Sequence, residues 1–333
     1  MASSALPPTH DSLVKLIFTH QFLTKPKQRP TSTSLAGKTA LVTGGNRGIG
    51  LETGCALLSL QLSHLILAVR SLENGEAAAS SLRESYPQAK ISVWALDLNS
   101  YESVRELASR CSTLPCLDIA ILNAAIMNSK FKSSPSTGHE ETFQVNYLST
   151  ALLALLLLPS LKANRPVDSP GRLTIVSSVA SVTVEFNERK STPIIPAFDK
   201  SEGWNIMVAK DRYDTTKLLL SMFIFKLCKR INSDDVVINA VDPGFTQATG
   251  LFRDLPAVVK AVAWLPAKLS ATSPEIGAWK CIDASIVVGK ESHGSFLSGW
   301  EYFPYAPSPL TSLEHYILTC IGFITSCILK RVT

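Results

Sequence analysis

Short apolar runs rich in β-branched residues alternate along this chain with longer segments of helical character. Most of the short runs are apolar at nearly every position, as is typical of parallel strands covered on both faces. A regular alternation of strand and helix indicates right-handed βαβ units. The pattern therefore predicts an α/β fold, a doubly wound parallel sheet of about seven strands with helices on both faces. The strands are expected at residues 39–44, 64–70, 91–98, 117–125, 172–178, 236–244 and 294–298, and helices at 48–61, 73–85, 137–163 and 211–231.

Both ends of the chain extend beyond this alternating region, which covers residues 37–300. Residues 1–36 hold a short amphipathic helix and a basic, proline-bearing linker, and we expect the helix to pack on the domain. Residues 301–333 contain a 14-residue apolar run. Because a transmembrane helix needs about 17–25 such residues, the run predicts a packed tail. A weak membrane-surface contact through this tail is the alternative.

Composition and charge exclude several classes of function. The 333 residues carry a formal net charge of +5, and the cations are scattered along the chain, which does not favour nucleic-acid binding. The seven cysteines form no metal-type pair, so we expect reduced, mostly buried thiols and no bound metal. The N-terminus lacks the features of a secretory signal, so we expect a cytoplasmic protein, with peripheral membrane association through the tail as the alternative.

The first strand runs directly into a glycine-rich turn, "TGGNRGIG", at residues 43–50. Gly44, Gly48 and Gly50 stand where a strand would turn sharply into a helix. Without side chains there, backbone N–H groups can approach a pyrophosphate at the helix N-terminus. The alternative is a glycine-rich turn that binds nothing.

The Thr-Gly-x-x-x-Gly-x-Gly spacing of this turn resembles the signature of the short-chain dehydrogenase/reductase family. The resemblance covers residues 37–300 and implies a Rossmann-type oxidoreductase that binds a dinucleotide. It places Ile49 with the glycines against the cofactor and Asp97 and Leu98 beside the adenine ring. Asn123 and Ala124 match the family's Asn-Ala-Gly at the end of the fourth strand, with Ala125 in place of the glycine.

The end of the second strand indicates which nicotinamide cofactor is bound. An acidic residue there usually binds the ribose of NAD, whereas an arginine accommodates the 2′-phosphate of NADP. Here Arg70 occupies the strand end, and no carboxylate occurs before Glu73. Arg47, in the glycine-rich turn, supplies a second cation, so the sequence predicts NADP(H). A solvated surface role for each arginine is the alternative.

Four residues match the catalytic positions of the family: Asn146, Ser178, Tyr213 and Lys217. The resemblance implies that Tyr213 exchanges a proton with the substrate. The Lys217 ammonium and an oxidised nicotinamide would together lower the pKa of the phenol, and the lysine would also hold the nicotinamide ribose. Ser178 would bind the substrate oxygen, and Asn146 would order a water. Taken without the resemblance, Asn146 is more often a satisfied core amide, and the Tyr-x-x-x-Lys pair is more often a chance spacing. The alternative role for Ser178 is to cap a turn.

The sixth strand ends in "DPGFTQAT", which is similar to the family's Pro-Gly loop beside the nicotinamide. Pro243 and Gly244 would shape this loop. Thr246 is the hydroxyl that we expect to meet the carboxamide or the pyrophosphate, and Thr249 is the alternative.

The chain carries a long insertion, residues 179–212, between the serine and the tyrosine. Such insertions are typical of the retinol-dehydrogenase-like branch and of related fungal natural-product reductases. We expect the insertion and residues 245–270 to form an apolar lid over the substrate. The predicted activity is the interconversion of a carbonyl and an alcohol on a lipophilic molecule such as a terpenoid or polyketide.

Three further questions stay open at the level of sequence. A membrane-associated retinoid or steroid dehydrogenase is one alternative function. A dinucleotide-sensing protein that has lost catalysis is another. A homodimer could form through the helices at residues 137–163 and 211–231, as often occurs in the family.

Overall fold

The protein forms one mixed sheet of eight strands in the order β3-β2-β1-β4-β5-β6-β7-β8. Strands β1 to β7 are parallel, and β8 pairs antiparallel with β7. The computed structural model describes residues 3, 5–7, 9, 11–27, 33–166, 169–246 and 272–305. The strands are β1 Thr39–Thr43, β2 His64–Val69, β3 Lys90–Ala95, β4 Ile119–Leu122, β5 Gly171–Val176, β6 Val236–Val241, β7 Phe296–Ser298 and β8 Glu301–Phe303.

The predicted doubly wound sheet is confirmed, with one strand more than the seven expected. The additional strand, β8, begins at Glu301, immediately beyond the boundary predicted at residue 300. Gly299 and Trp300 both adopt positive φ, so the chain turns back and Glu301–Phe303 pairs with β7. The C-terminal apolar run lies outside the described residues.

Helices connect the parallel strands and cover both faces of the sheet. The helices predicted at 48–61 and 73–85 are confirmed to within two residues. The helix predicted at 137–163 begins four residues later, at Glu141. The helix carrying the Tyr-x-x-x-Lys pair begins five residues earlier than predicted, at Ile206, and ends four residues earlier, at Leu227. The helices are α1 Leu13–Phe18, α2 Gly48–Ser59, α3 Leu72–Ser85, α4 Tyr101–Ser112, α5 Glu141–Lys162, α6 Ile195–Phe198, α7 Ile206–Leu227 and α8 Pro274–Ile282.

Two hydrophobic cores lie on opposite faces of the sheet because strand side chains alternate between the faces. Ala40 and Val42 of β1 join one core, which includes apolar residues of α2, α3 and α8. Leu41, between them, joins the other core, which includes residues of α4, α5 and α7. Both faces of the central strand are therefore buried, which explains its uninterrupted apolar sequence.

Helix α5 is the one helix among the described residues that is long and apolar enough to cross a membrane. In this fold 78% of its most apolar window is buried, so it serves as a core helix. Within it, residues Gln144–Ser149 form a π-helical segment. Such segments often occur at functional sites because they change the direction in which side chains point.

The order of strands reverses between β1 and β4, which are neighbours in the sheet. The connections from β1 and from β4 leave in opposite directions, and this opens a crevice beyond the carboxyl ends of the strands. In open α/β sheets such a crevice is where ligands bind. The glycine-rich turn follows β1 and Asn123 follows β4, so both predicted motifs lie at this point.

Candidate active site

A cleft of about 550 Å³ lies beyond the carboxyl ends of the parallel strands. Every residue predicted to bind the cofactor lines it, as do three of the four predicted catalytic residues, whereas Asn146 lies behind its wall. The predicted residues that line the cleft are Gly44, Arg47, Gly48, Ile49, Gly50, Arg70, Asp97, Leu98, Asn123, Ala124, Ser178, Tyr213, Lys217, Pro243, Gly244 and Thr246.

The glycine-rich turn is packed too tightly to hold larger residues. Gly44 and Gly48 have φ values of +67° and +54°, a conformation that costs a residue with a side chain more than it costs glycine. A Cβ atom on Gly50 would lie 2.4 Å from the Gly44 carbonyl oxygen and 2.6 Å from Nδ2 of Asn123. The turn therefore depends on glycine to bring strand β1 and helix α2 this close together.

Asn123 fixes the end of β4 to the end of β1. Its side-chain Nδ2 donates to the Thr43 carbonyl oxygen at 3.0 Å, and its backbone N–H donates to Thr43 Oγ1 at 3.0 Å. The backbone N–H of Ala124 donates to the same hydroxyl, also at 3.0 Å. These bonds hold the two sides of the crevice at a fixed separation next to the glycine-rich turn.

Two arginine side chains line the cleft. Arg47 precedes α2 and Arg70 follows β2, and both are exposed. Among the described residues, neither guanidinium forms an ion pair with a carboxylate. Asp97, nearby, is engaged in its own turn, since its Oδ1 accepts from the backbone N–H of Asn99 at 3.0 Å. The cleft is therefore lined by two exposed cations of the kind that bind phosphate groups.

The structure distinguishes the two serines that follow β5. Ser177 is buried, and its hydroxyl donates to the backbone carbonyl of Lys217 at 3.3 Å. Ser178 is half-buried, and its Oγ accepts from the backbone N–H of Ala180 at 3.2 Å. That bond leaves the Ser178 hydroxyl hydrogen free to be donated into the cleft, as the prediction for the second serine requires.

Tyr213 and Lys217 lie one turn apart on helix α7, on the side that faces the cleft. The Lys217 Nζ atom is 5.5 Å from the centroid of the Tyr213 ring and donates to the Val176 carbonyl oxygen at 2.8 Å. The side chains of Ser178, Tyr213 and Lys217 thus come from a strand end and a helix to one wall of the cleft.

Burial shifts the pKa values of both side chains. It lowers the pKa of the Lys217 ammonium from 10.5 to about 8. It raises the pKa of the Tyr213 phenol, and the negative charges of Asp214 and Asp242 raise it further. The prediction of a lowered pKa for this tyrosine invoked the Lys217 ammonium together with an oxidised nicotinamide; with the chain's own residues alone, burial is the largest cause and the pKa is raised.

Asn146 lies in the π-helical segment of α5 and connects three parts of the fold. Its Oδ1 accepts from the backbone N–H of Ile126, and its Nδ2 donates to the Ile126 carbonyl oxygen, both at 2.9 Å. Nδ2 also approaches Oγ1 of Thr216 at 3.2 Å, and that hydroxyl donates to the Tyr213 carbonyl oxygen at 2.6 Å. Asn146 therefore ties α5 to the chain after β4 and to the helical turn that carries Tyr213.

The Pro-Gly loop after β6 closes the other side of the cleft. Gly244 has a φ of +80°, and its N–H donates to Oδ1 of Asp242 at 3.2 Å. Thr246 Oγ1 donates to the Gly244 carbonyl oxygen at 3.1 Å. Thr249, the alternative to Thr246, lies outside the described residues, as do residues 247–270 of the predicted lid.

Only the two ends of the insertion reach the cleft. Val179 and Ala180 line the cleft at the start of the insertion, and residues 206, 207 and 210 line it at the end. The bulky Phe186 and Phe198, by contrast, are fully buried in the core that includes residues of α4, α5 and α7. The lid stays a prediction, and these two phenylalanines pack inside the domain.

A buried ion pair attaches the insertion to helix α5. Arg212, 4% exposed, lies 3.3 Å from Oε2 of Glu140, which is fully buried, and 3.3 Å from Oε1 of Glu188. It also donates to the Phe198 carbonyl oxygen. Glu140 in turn accepts from the backbone N–H groups of the first turn of α5, so its carboxylate also caps that helix. Burial raises the pKa of Glu140, and the Arg212 charge opposes that shift.

Sequence reasoning missed several residues of the cleft. Some stand next to predicted motifs at strand ends and could have been found from that position: Asn46, Asn99, Met127 and Asn128. Leu13 and Ile17 of α1 also line the cleft, although they lie far from every motif in the sequence. Their only signal was the amphipathic pattern of the N-terminal helix. No cluster of three metal-ligating side chains occurs in the described part of the chain.

Comparison with known proteins identifies the family. The profile of the short chain dehydrogenase family matches residues 38–189. The short chain dehydrogenase/reductase mfmJ of Annulohypoxylon moriforme is 45% identical over 314 residues, 94% of this chain and 90% of that protein. The chain belongs to the short-chain dehydrogenase/reductase family. Another member of this family of oxidoreductases, the short chain dehydrogenase virL of Hypocrea virens, is 43% identical over 286 residues, 85% of this chain and 82% of that protein.

Solved structures of short-chain dehydrogenases/reductases share the fold. A Pseudomonas aeruginosa RhlG complex with NADP superposes with a TM-score of 0.58 at 22% identity, covering 83% of this chain and 97% of that one. The NADPH-dependent 3-quinuclidinone reductase of Rhodotorula rubra superposes with a TM-score of 0.58 at 20% identity, covering 83% of this chain and 96% of that one. At these identities the likeness establishes the Rossmann-type architecture.

Proposed function

We propose that this protein is an NADP(H)-dependent oxidoreductase that interconverts a carbonyl and an alcohol on a lipophilic small molecule, such as a terpenoid or polyketide of secondary metabolism. One observation carries the proposal: Ser178, Tyr213 and Lys217 share a cleft with the glycine-rich turn. In this proposal the group that transfers the proton lies beside the site that binds the dinucleotide. The membership of the chain in an oxidoreductase family supports the same activity.

The residues of the cleft fit NADP(H). Gly44, Gly48 and Gly50 line the cleft, and without side chains there the backbone N–H groups at the start of α2 would bind a pyrophosphate. Arg47 and Arg70 line the cleft and would bind the 2′-phosphate of the cofactor. The RhlG structure is described as a complex with NADP, and the 3-quinuclidinone reductase as NADPH-dependent, which supports the same cofactor. When bound, the cofactor supplies or accepts the hydride.

The chain's own residues supply the proton and hold the substrate oxygen. The raised pKa keeps the Tyr213 phenol protonated at neutral pH, which is the form that donates a proton to a carbonyl oxygen. Ser178 Oγ can donate a second hydrogen bond to the same oxygen and stabilise the charge that develops there. With a pKa of about 8, Lys217 is mostly charged at pH 7 and contributes a positive potential beside the phenol.

Asn146 acts in this proposal by positioning. Its bonds to Ile126 and Thr216 hold the helical turn of Tyr213 at a fixed distance from the end of β4. The water that the family resemblance places at this asparagine would then extend the proton path from the phenol toward α5.

Replacement of Tyr213 by phenylalanine tests the proposal. We expect Tyr213→Phe to lower kcat for ketone-dependent NADPH oxidation by about 10²–10⁴-fold, since this is the contribution of a positioned general acid. The assay would use a panel of lipophilic ketones, and NADH would be compared with NADPH. The affinity for NADPH should change little. Tyr302→Phe, on the edge strand β8, is the matched control and should keep full activity.

The outcomes separate the proposal from its alternatives. Equal activity of wild type and Tyr213→Phe on every substrate would refute the assigned mechanism. Tight NADPH binding without turnover of any carbonyl or alcohol would instead favour a dinucleotide-sensing protein. The homodimer, the cytoplasmic location and the membrane contact of the C-terminal tail stay predictions.

A further inference from the structure

Helix α1 presents two apolar side chains to the cleft. Leu13 and Ile17 stand one helical turn apart, line the cleft and pack against the core, while Leu16 between them is buried. The helix also packs against the turn Val179–Val182, which directly follows Ser178. The inner face of α1 therefore lies beside the predicted catalytic serine.

Polar bonds attach the end of this helical segment to the Pro-Gly loop. Nδ1 of His20 lies 2.7 Å from Oγ of Ser298, which donates to Oδ2 of Asp242 at 2.8 Å. Because the serine hydroxyl donates to the carboxylate, Nδ1 of His20 is the donor to the serine. Gln21 Nε2 donates to the Phe245 carbonyl oxygen at 2.6 Å. These bonds reach the loop on both sides of Pro243 and Gly244.

The outer face of α1 carries the charged Lys15 and also two apolar side chains. Val14 and Phe18 are also one turn apart and apolar, yet they are 78% and 53% exposed and do not line the cleft. Leu13 and Ile17 therefore line the cleft, whereas Val14 and Phe18 of the same short helix do not. Since all four side chains are apolar, the two pairs differ in position and not in apolar character.

We propose that α1 is the wall of the substrate site and that Leu13 and Ile17 determine specificity for the apolar body of the substrate. This inference rests on the proposed function, because it assigns the same cleft a carbonyl substrate. The two side chains offer only dispersion and hydrophobic contact, so they select by shape and volume. Discrimination of this kind is worth about 10–200-fold per methylene in a well-fitted pocket. A substrate with a rigid, bulky apolar framework attached to the carbonyl fits this wall best.

A pair of double variants tests the proposal. Leu13→Ala with Ile17→Ala enlarges the site, whereas Val14→Ala with Phe18→Ala removes similar apolar volume from the outer face. The probes are cyclohexanone, 2-decalone and a tricyclic ketone. For the inner double variant we expect the ratio of kcat/KM between the largest and smallest ketone to change by about tenfold or more. The outer double variant should keep the wild-type ratio, and both should keep the wild-type Kd for NADPH.

A volume-conserving variant covers the case in which the inner double variant does not fold. Ile17→Leu changes shape while keeping volume, so the fold should tolerate it. It should still shift the ratio, by a smaller factor. An unchanged ratio in Ile17→Leu and in the folded inner double variant would overturn the inference, as would an equal shift in the outer double variant.

Failure of the proposed function has a different signature. It would appear as no turnover of any ketone by the wild type. Calorimetric titration of the three ketones into the protein saturated with NADP⁺ then decides the inference separately. Ketone binding that weakens in the inner variants alone would support the assignment of α1 as the wall of the substrate site. Ketone binding that is absent in the wild type, or unchanged in the inner variants, would refute that assignment.

Discussion

The strand-end region and the insertion meet in the same cleft but are held in place by different kinds of contact. We define the strand-end region as residues 43–50, 123–125, 176–178 and 242–246. It is built from backbone bonds and close glycine contacts, such as the 2.4 Å approach that a Cβ on Gly50 would make to Gly44. The insertion, residues 179–212, is held by buried side chains, chiefly the ion pair of Arg212 with Glu140.

This difference indicates which changes each region can tolerate. In the strand-end region a single added methyl group conflicts with backbone that cannot move away. The insertion depends instead on buried side chains, since Arg212 pairs with Glu140 while Phe186 and Phe198 are fully buried in the core. The predictions below separate these two modes of stabilisation.

The largest effect is expected from Arg212→Met. This change leaves the fully buried Glu140 carboxylate without its partner, and breaking such a pair costs about 3–5 kcal/mol of unfolding free energy. Chemical denaturation at pH 7 would measure it. Lys162→Met is the control, because its pair with Asp235 is largely exposed and is worth about 1 kcal/mol or less. A loss no larger in Arg212→Met than in the control would show that the ion pair does not hold the insertion.

A smaller loss is expected from Gly50→Ala in the strand-end region. The new methyl group would overlap the Gly44 carbonyl oxygen. The backbone shift needed to accommodate it should lower the free energy of unfolding by about 3 kcal/mol. We also expect the Kd for NADPH to rise by about tenfold or more, because the glycine-rich turn must shift. Gly54→Ala, in the same helix, is the control, since its methyl group would meet only the ends of the Leu65 and Leu67 side chains, at 3.1 and 3.6 Å. Tight NADPH binding by Gly50→Ala would contradict the rigidity of this turn.

The third effect concerns Lys217, a buried charge at the border of the strand-end region. Its pKa is about 8 in the folded protein and 10.5 ordinarily, so between these values the unfolded state binds more protons. Stability therefore rises with pH across this window, by about 1.36 kcal/mol per pH unit well above pH 8. Relative to Lys217→Met, the wild type should gain about 2 kcal/mol between pH 7 and pH 9.5.

Denaturant titrations of both proteins at matched pH values would measure this difference. Using the difference between the two proteins cancels the other titrating groups. Parallel curves for wild type and Lys217→Met would show that the ammonium is not desolvated as its burial implies.

Local motifs made most of the strand-end region predictable from sequence. The glycine-rich turn, Asn123, Ser178 and the Tyr-x-x-x-Lys pair each depend on a short stretch of chain at the end of a strand or along one helix. Helix α7 was placed too late because Asn205, whose Oδ1 caps Met207 and Val208, had not been taken as a helix start. That signal was present in the sequence.

Long-range contacts were not predictable in the same way. Arg212 and Glu140 are 72 positions apart, and nothing in the sequence near either residue indicates the other. The position of α1 depends on bonds to Ser298 and Phe245, which lie more than two hundred positions away. The raised pKa of Tyr213 likewise depends on burial, which the four-residue motif does not contain.

The attachment of α1 to the last strands has a practical consequence for anyone who trims the chain. The family profile begins at residue 38, and a shortened protein that started there would keep every signature motif. It would also lose Leu13, Ile17 and the bonds of His20 and Gln21, along with Ser3, whose hydroxyl bonds to the backbone of Phe296 in β7. A protein trimmed at the motif boundary would thus keep the residues predicted to bind the dinucleotide but would lack the α1 side of the cleft. If α1 selects substrates as proposed, a substrate screen on the trimmed protein would understate the selectivity of the full chain.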